Sequence, residues 1–146
     1  MKYFYRYGWY FAYVYWFVRR CRVLGSCVIV EKDGHVLLVR QTYGHRSYWF
    51  FPGGGRKNNE NPKRAAEREL KEEVGLSLEL QYLGDVSGRM DWRHITDSYY
   101  LGKASNLAIE HDRNEIEEYL WWPKDALPDK LSPLSKAAAD KFLVNT

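Results

Sequence analysis

Gly54-Gly55-Arg56-Lys57-Asn58-Asn59-Glu60-Asn61-Pro62-Lys63-Arg64-Ala65-Ala66-Glu67-Arg68-Glu69-Leu70-Lys71-Glu72-Glu73-Val74-Gly75-Leu76 is the stretch on which the fold turns. Its first part, Gly53 to Asn61, is polar and glycine-rich and reads as loop. Asn61-Pro62 then starts a helix, with asparagine as N-cap and proline at the first helical position. Pro62 to Val74 is rich in Ala, Glu, Arg, Lys and Leu, and Gly75 stands at the C-cap position. On that helix Glu69, Glu72 and Glu73 recur at i, i+3 and i+4, within an arc of roughly 100°. Three carboxylates on one face repel one another. Arg68 and Lys71 lie off the centre of the arc. Either the face is simply solvated or a divalent cation compensates it, and hard cations such as Mg²⁺ take oxygen ligands.

Outward from this segment the pattern is of strands. Before it, Val23 to Val30 is a short apolar run, Lys32-Asp33-Gly34 is a hairpin signal, and His35 to Arg40 is a second strand. Tyr43 to Ser47 reads as loop and Trp49-Phe50-Phe51 as a short third strand stopped by Pro52. After it, Leu76 to Val86, Ile95 to Leu101 and Ile116 to Trp122 read as strands. Ser132-Pro133 opens a last helix, Pro133 to Leu143. Strands, helix, strands, helix make a mixed α/β or α+β layered domain, not a regular βαβ repeat.

The chain of 146 residues has the length of one domain, here residues 23–146, preceded by an unusual head, residues 1–22. The first 25 residues carry Lys2, Arg6, Arg19, Arg20 and Arg22 and no acid, whereas the remainder has 17 basic and 19 acidic residues. Eleven of the 24 aromatic residues fall within residues 1–18. The uncharged run 7–18 is short of the roughly 20 apolar residues a spanning helix needs. It is Tyr/Trp-rich and ends in arginines, unlike a signal peptide. Two readings stand: residues 3–20 pack on the domain or form a homodimer contact, or they lie at a membrane surface with arginines toward anionic lipid. A net charge of +3 gives no argument for nucleic-acid binding. Cys21 and Cys27 are too few for a zinc cluster or disulfide framework and suit a reducing, cytoplasmic setting. His35, His45, His94 and His111 lack ligand spacing.

The spacing Gly54, five residues, Glu60, seven residues, Arg68-Glu69-Leu70-Lys71-Glu72-Glu73-Val74-Gly75-Leu76 matches the Nudix box, G-x5-E-x7-R-E-U-x-E-E-x-G-U, at every fixed position. Seven identities and two aliphatics coincide by chance on the order of once in a billion starts, given average residue usage. The chain thus resembles the Nudix hydrolase family. His35 to Arg40, Trp49 to Gly54, Glu115-Ile116, Trp121-Trp122 and Leu127-Pro128 extend the resemblance from residue 23 to about 143.

The resemblance implies an α/β/α sandwich around a mixed sheet. It also implies Mg²⁺- or Mn²⁺-dependent hydrolysis of a nucleoside diphosphate linked to another group. By that analogy Glu69, Glu72 and Glu73 bind metal, with the Gly54 carbonyl as a further ligand, and Glu60 and Arg68 pair structurally. Glu72 and Glu73 then carry catalysis together with a general base. Glu115 is the first candidate for that base, ahead of Glu118, Glu110 and Asp112, with a solvated loop carboxylate as the alternative for each. Arg40, with His45 and Arg46, could reach a phosphate. Trp92, Tyr99 and Tyr100 could stack on a base, with core packing the alternative for at least one tyrosine.

Subgroup signatures help by absence. The proline that marks the ADP-ribose subgroup is missing from Gly88-Arg89-Met90-Asp91-Trp92, and Trp92 and His94 occupy the region of the dinucleoside-polyphosphate tyrosine. A small-molecule nucleotide, as a nucleoside triphosphate or nucleotide sugar, is the expected substrate. The alternatives are a non-catalytic nucleotide-binding module, which usually loses box carboxylates, and a membrane-associated enzyme acting on a lipid-linked diphosphate.

Overall fold

The computed structural model describes residues 22–106 and 108–144. The aromatic head up to Cys21, with its expected dimer or lipid contacts, lies outside the described residues. Among the described residues no helix is long and apolar enough to cross a membrane.

Strands β1 (Arg22–Lys32), β2 (His35–Gln41), β3 (Gly53–Gly55), β4 (Leu80–Met90), β5 (Arg93–Lys103) and β6 (Ile116–Pro123) form one sheet. Helix α1 (Pro62–Val74) follows β3 and helix α2 (Pro133–Phe142) ends the fold. The strand order is β4-β5-β1-β2-β6, with β3 paired to β1. β1 runs parallel to β5 while its pairings with β2 and β3 are antiparallel, so the sheet is mixed as expected. β1 gives its last residues to β2 and Gly25–Cys27 to β3. The β1–β2 connection is the tight turn that Asp-Gly favours, with Asp33 at φ 49° and Gly34 at φ 77°.

Alternation along β1 sorts two cores. Val28 and Val30 join Leu37, Val39, Ala66, Leu70, Val74 and Tyr100 beneath α1. Ile29 joins Val36, Leu38, Phe51, Tyr99, Leu134 and Ala138 beneath α2. Two helical layers on either face of the sheet give the expected sandwich.

Two boundaries differ from expectation. Trp49 and Phe50 make only isolated bridges, to Leu131 and Val39, and the ladder continues instead through the glycines. Gly53–Gly55 looked like loop because glycine weakens strands. Here a side chain would have no room: a Cβ on Gly53 would stand 2.3 Å from the Ser26 carbonyl oxygen. β4 begins at Leu80, not Leu76, and runs through the polar Ser87-Gly88-Arg89 to Met90. This strand lies at the sheet edge, so polar residues are tolerated, and Ser87 hydrogen-bonds Thr96 across the ladder at 2.8 Å.

The first turn of α1 is capped as the sequence predicts. Asn61 Oδ1 accepts from the backbone N–H of Lys63 at 2.9 Å and of Arg64 at 3.4 Å. An exposed N-cap of this kind contributes about 1 kcal/mol. Asn61→Ala should therefore lower unfolding free energy by about that amount in a urea titration, and Asn61→Asp should not.

Candidate active site

The carboxylates sit where α1 presses its polar edge against β3. Ala65, Ala66, Leu70 and Val74 are buried, which fixes the rotation of the helix. Glu69 and Glu73 then face the glycine strand. The backbone N–H of Gly53 donates to Glu73 Oε2 at 2.8 Å. A Cβ on Gly54 would stand 2.7 Å from the Glu69 carboxylate, so only glycine admits that close an approach.

Glu73 is 2% exposed. Burial pushes its pKa up to about 8; the Gly53 hydrogen bond opposes this, and Glu69, Glu115 and Glu72 add to it. Burial also raises Glu69, against the pull of Arg68. Glu72 is the exposed member, its side chain 56% accessible.

Arg68 ties the site together. Its Nε and Nη2 donate to the two Glu60 carboxylate oxygens, each at 2.9 Å, a fork-to-fork pair. Nη2 also donates to the Gly55 carbonyl at 3.2 Å. Nη1 donates to Glu69 Oε1 at 2.6 Å and Glu72 Oε2 at 3.2 Å. The arginine, off the centre of the acidic arc, thus reaches two of its members. The guanidinium, with the Lys57 N–H at 2.8 Å, holds Glu60 down at about 2. The expected structural pairing of Glu60 and Arg68 is present.

Glu115 is drawn in by the end of α1. The Asp112 N–H donates to the Glu73 carbonyl at 2.9 Å, and the N–H groups of Glu115 and Ile116 donate to the Asp112 carbonyl at 3.1 and 2.8 Å. Thr42 N–H holds the Glu115 carbonyl at 2.9 Å. The Glu115 charge accordingly raises both Glu73 and Glu69. Of the weaker candidates, Glu118 is paired with Arg40 at 2.7 Å and Asp112 Oδ1 accepts from the Asn114 N–H. The Glu110 backbone packs against Gly75.

The expected substrate contacts are placed elsewhere. Tyr99 is 1% exposed between Phe51 and Phe142, so it packs the core and cannot stack on a ligand. Arg40 is engaged by Glu118 and Glu117 and lies over the Trp49 ring. Trp92 stands in the β4–β5 turn against the Arg93 guanidinium, beyond the start of β1.

Two residues went unread in the sequence. Tyr43, in the loop after β2, feels the charges of Glu115, Glu73 and Glu69 in addition to partial burial, all of which raise its phenol. Asp97, in the middle of β5, is pushed up to about 6 by burial. A lone charged residue within a strand run, Ile95 to Leu101, was the available signal for the second.

Among the described residues no three acidic, cysteine or histidine side chains close around a single point. The donor chemistry nevertheless fits a hard cation. The oxygens are carboxylate and carbonyl, and the buried Glu73 carboxylate has a backbone hydrogen bond but no cationic partner among the described residues.

A family model of the NUDIX domain matches residues 22–143. An 8-oxo-dGTP diphosphatase of Proteus vulgaris is 38% identical over 98 residues, covering 65% of this chain and 81% of that protein. An RNA pyrophosphohydrolase of Saccharophagus degradans is 39% identical over 67 residues, 45% of this chain and only 39% of the relative's length. The crystal structure of a MutT NUDIX hydrolase from Burkholderia pseudomallei superposes with a TM-score of 0.76 at 25% identity, over 84% of this chain and 98% of that one. The chain belongs to the NUDIX family and is a Nudix hydrolase.

The raised Glu73 carboxylate gives a test without substrate. Free glutamate titrates near about 4.3. The protonated, neutral form therefore contributes stability that is fully present below that pH and lost as pH rises through about 8. In chelator, Glu73→Gln should come nearest the parent's melting temperature below about pH 4 and exceed it by a growing margin up to about pH 8. A difference independent of pH would remove Glu73 from the buried, charged set.

Proposed function

We propose that this chain is a Mg²⁺- or Mn²⁺-dependent pyrophosphohydrolase of a small nucleotide, a nucleoside diphosphate linked to another group. The observation that carries the reading is the pairing of buried Glu73 with the Gly53 N–H beside Glu69, on a strand that offers no side chain to obstruct a phosphate.

Glu69, Glu72, Glu73 and the Gly54 carbonyl are the residues that would hold the cation. A bound divalent ion supplies neutralisation of phosphate charge and a lowered pKa for water. The protein supplies the rest by position and fixed charge. α1 holds Glu69 and Glu73 in one orientation through its buried face. Arg68 bridges the Glu69 and Glu72 carboxylates and anchors the box loop through Glu60. Glu115, tied to the helix end through Asp112, stands as the acceptor of the proton from an attacking water. The water oxygen forms the new bond to phosphorus, the bridging P–O bond breaks, and the leaving phosphate takes the electron pair.

The Proteus relative is named for 8-oxo-dGTP and the Saccharophagus relative for RNA. Nucleoside triphosphates and their oxidised purine forms are therefore the first substrates to test, beside nucleotide sugars.

Release of phosphate or nucleotide should require Mg²⁺ or Mn²⁺ and stop in EDTA. Glu73→Gln should lower kcat by at least about a hundredfold with the fold intact, the usual loss when a fixed electrostatic group is removed. Silence of the parent across the panel would overturn the hydrolytic reading. For the base, Glu115→Gln should lower kcat by about a hundredfold while leaving KM near the parent value and abolishing the acidic limb of the kcat–pH profile. A retained limb would assign the base elsewhere.

A further inference from the structure

The side chains of β1 that point toward α1 are Leu24, Ser26, Val28 and Val30, since alternation carries the face of the two core valines back along the strand. Ser26 is the polar member of this set, and it is sealed, with 0% exposure. Its Oγ has no hydrogen-bond partner among the described residues. A buried hydroxyl left unmatched is destabilising, and an alanine in its place would avoid that loss. Packing of the free protein therefore gives no reason for a serine at this position.

Register names the neighbours. Ser26 stands opposite Gly54 of β3 on one side and Ser98 of β5 on the other. Ser98 is already matched: its hydroxyl donates to Asp85 Oδ1 at 2.6 Å and accepts from Arg56 Nη2 at 3.4 Å. Gly54 is different, because it has no side chain. Directly opposed residues of an antiparallel pair hold their Cβ positions about 5 Å apart on one face. At Gly54 the Glu69 carboxylate lies over that position, Oε2 at 2.7 Å and Oε1 at 2.9 Å from where a Cβ would stand. Ser26 and Glu69 thus meet across bare backbone, on the same face of the sheet.

The carboxylate has room for a further bond. Arg68 Nη1 takes Oε1 at 2.6 Å and does not engage Oε2. An ionised carboxylate offers about four lone-pair sites on its two oxygens. A hydroxyl on Oε2 and a guanidinium on Oε1 hold the group from two sides and leave lone pairs on both oxygens for a cation. A neutral donor suits the place, since it orients the carboxylate without adding a charge that repels the cation.

We infer that Ser26 is a positioning residue whose hydroxyl donates to Glu69 Oε2 and holds that carboxylate in the orientation in which it binds a divalent cation. Ser26 does not touch the substrate; it acts through Glu69. Carboxylates that ligate metals are themselves held by hydrogen bonds of this kind, and losing one lowers metal affinity by about 10–100-fold. The inference rests on the proposal that Glu69 is a metal ligand.

The test is Mn²⁺ affinity without substrate, read from the electron paramagnetic resonance signal of the free ion, alongside thermal melting in chelator. It compares the parent with Ser26→Ala, Ser98→Ala, Glu69→Gln and the double variant Ser26→Ala/Glu69→Gln. Ser26→Ala should weaken Mn²⁺ binding by at least about tenfold. In chelator it should melt no lower than the parent, because alanine gives up no hydrogen bond made in the free protein. Ser98→Ala should do the opposite. It removes a bonded hydroxyl, so it should melt lower while binding Mn²⁺ as the parent does. In the Glu69→Gln background Ser26→Ala should cost little further affinity, since the two residues act through one group. Ser26→Cys, close in size and only a weak donor, takes the place of the alanine variant should that fail to fold, and it should weaken Mn²⁺ binding in the same direction.

An unchanged Mn²⁺ affinity in Ser26→Ala, or the same loss with and without the Glu69 carboxylate, would overturn the inference and leave the metal-dependent reading in place. A Ser26→Ala that melts lower in chelator would overturn it too, by giving the hydroxyl a bond in the free protein. A parent that binds no Mn²⁺ would overturn the metal-dependent reading, and the inference with it.

Discussion

The site depends on how closely α1 can lie against β3. A Glu73 carboxylate 2% exposed and bonded to a backbone N–H requires the helix edge to meet bare backbone. Glycines at 53, 54 and 55 supply that backbone. The apolar face of α1 supplies the force, since burying a residue such as Leu70 is worth about 1.5–3 kcal/mol. Packing on one side of the helix thus holds a destabilising charge in place on the other. This is the expected economy of a functional site, in which a group is kept where it is electrostatically unfavourable because its surroundings are over-determined.

Charge compensation is then divided between two kinds of partner. Arg68 serves Glu60, Glu69 and Glu72 together, so one side chain both closes the box loop and relieves part of the acidic face. Glu73 gets no such relief among the described residues, and its neighbours Glu69, Glu115 and Glu72 each make its ionisation harder. The region after β5 adds to the imbalance: the Asp112 N–H binds the Glu73 carbonyl at the end of α1, and that bond brings Glu115 toward the carboxylates. A helix end with free carbonyls draws in a loop, and the loop delivers an acid to a place already rich in acids.

Much of this was legible in the chain because it is written locally. The cap at Asn61, the helix from Pro62 to Val74, the glycine at 75 and the i, i+3, i+4 carboxylates depend on neighbours within a few residues. The resemblance to the box implied the Glu60–Arg68 pair, which lies within the same short segment. What failed depends on distant partners. Gly53–Gly55 becomes a strand only because Gly25–Cys27 of β1 lies opposite it. Tyr99 is sealed by Phe51 and Phe142, which are far from it in sequence, so an aromatic that looked free to stack is core. The pairing of Arg40 with Glu117 and Glu118 likewise arises only where β6 lies beside β2.

The same division separates the charged groups from what supports them. Phosphate chemistry demands fixed charges at fixed spacing, which one helix and one loop can encode in a contiguous segment. Support for those charges demands only a donor or acceptor within reach, and residues on any strand laid beside the segment can provide it. Gly54, Ser26 and Ser98 come from three strands and meet through sheet register alone. No local pattern marks such a row, since each member is unremarkable in its own stretch: a glycine in a loop-like run, a serine in an apolar strand, a serine before two tyrosines. A compact motif is therefore legible in one contiguous segment, whereas residues that meet only through strand pairing are read only after the strands have been placed side by side.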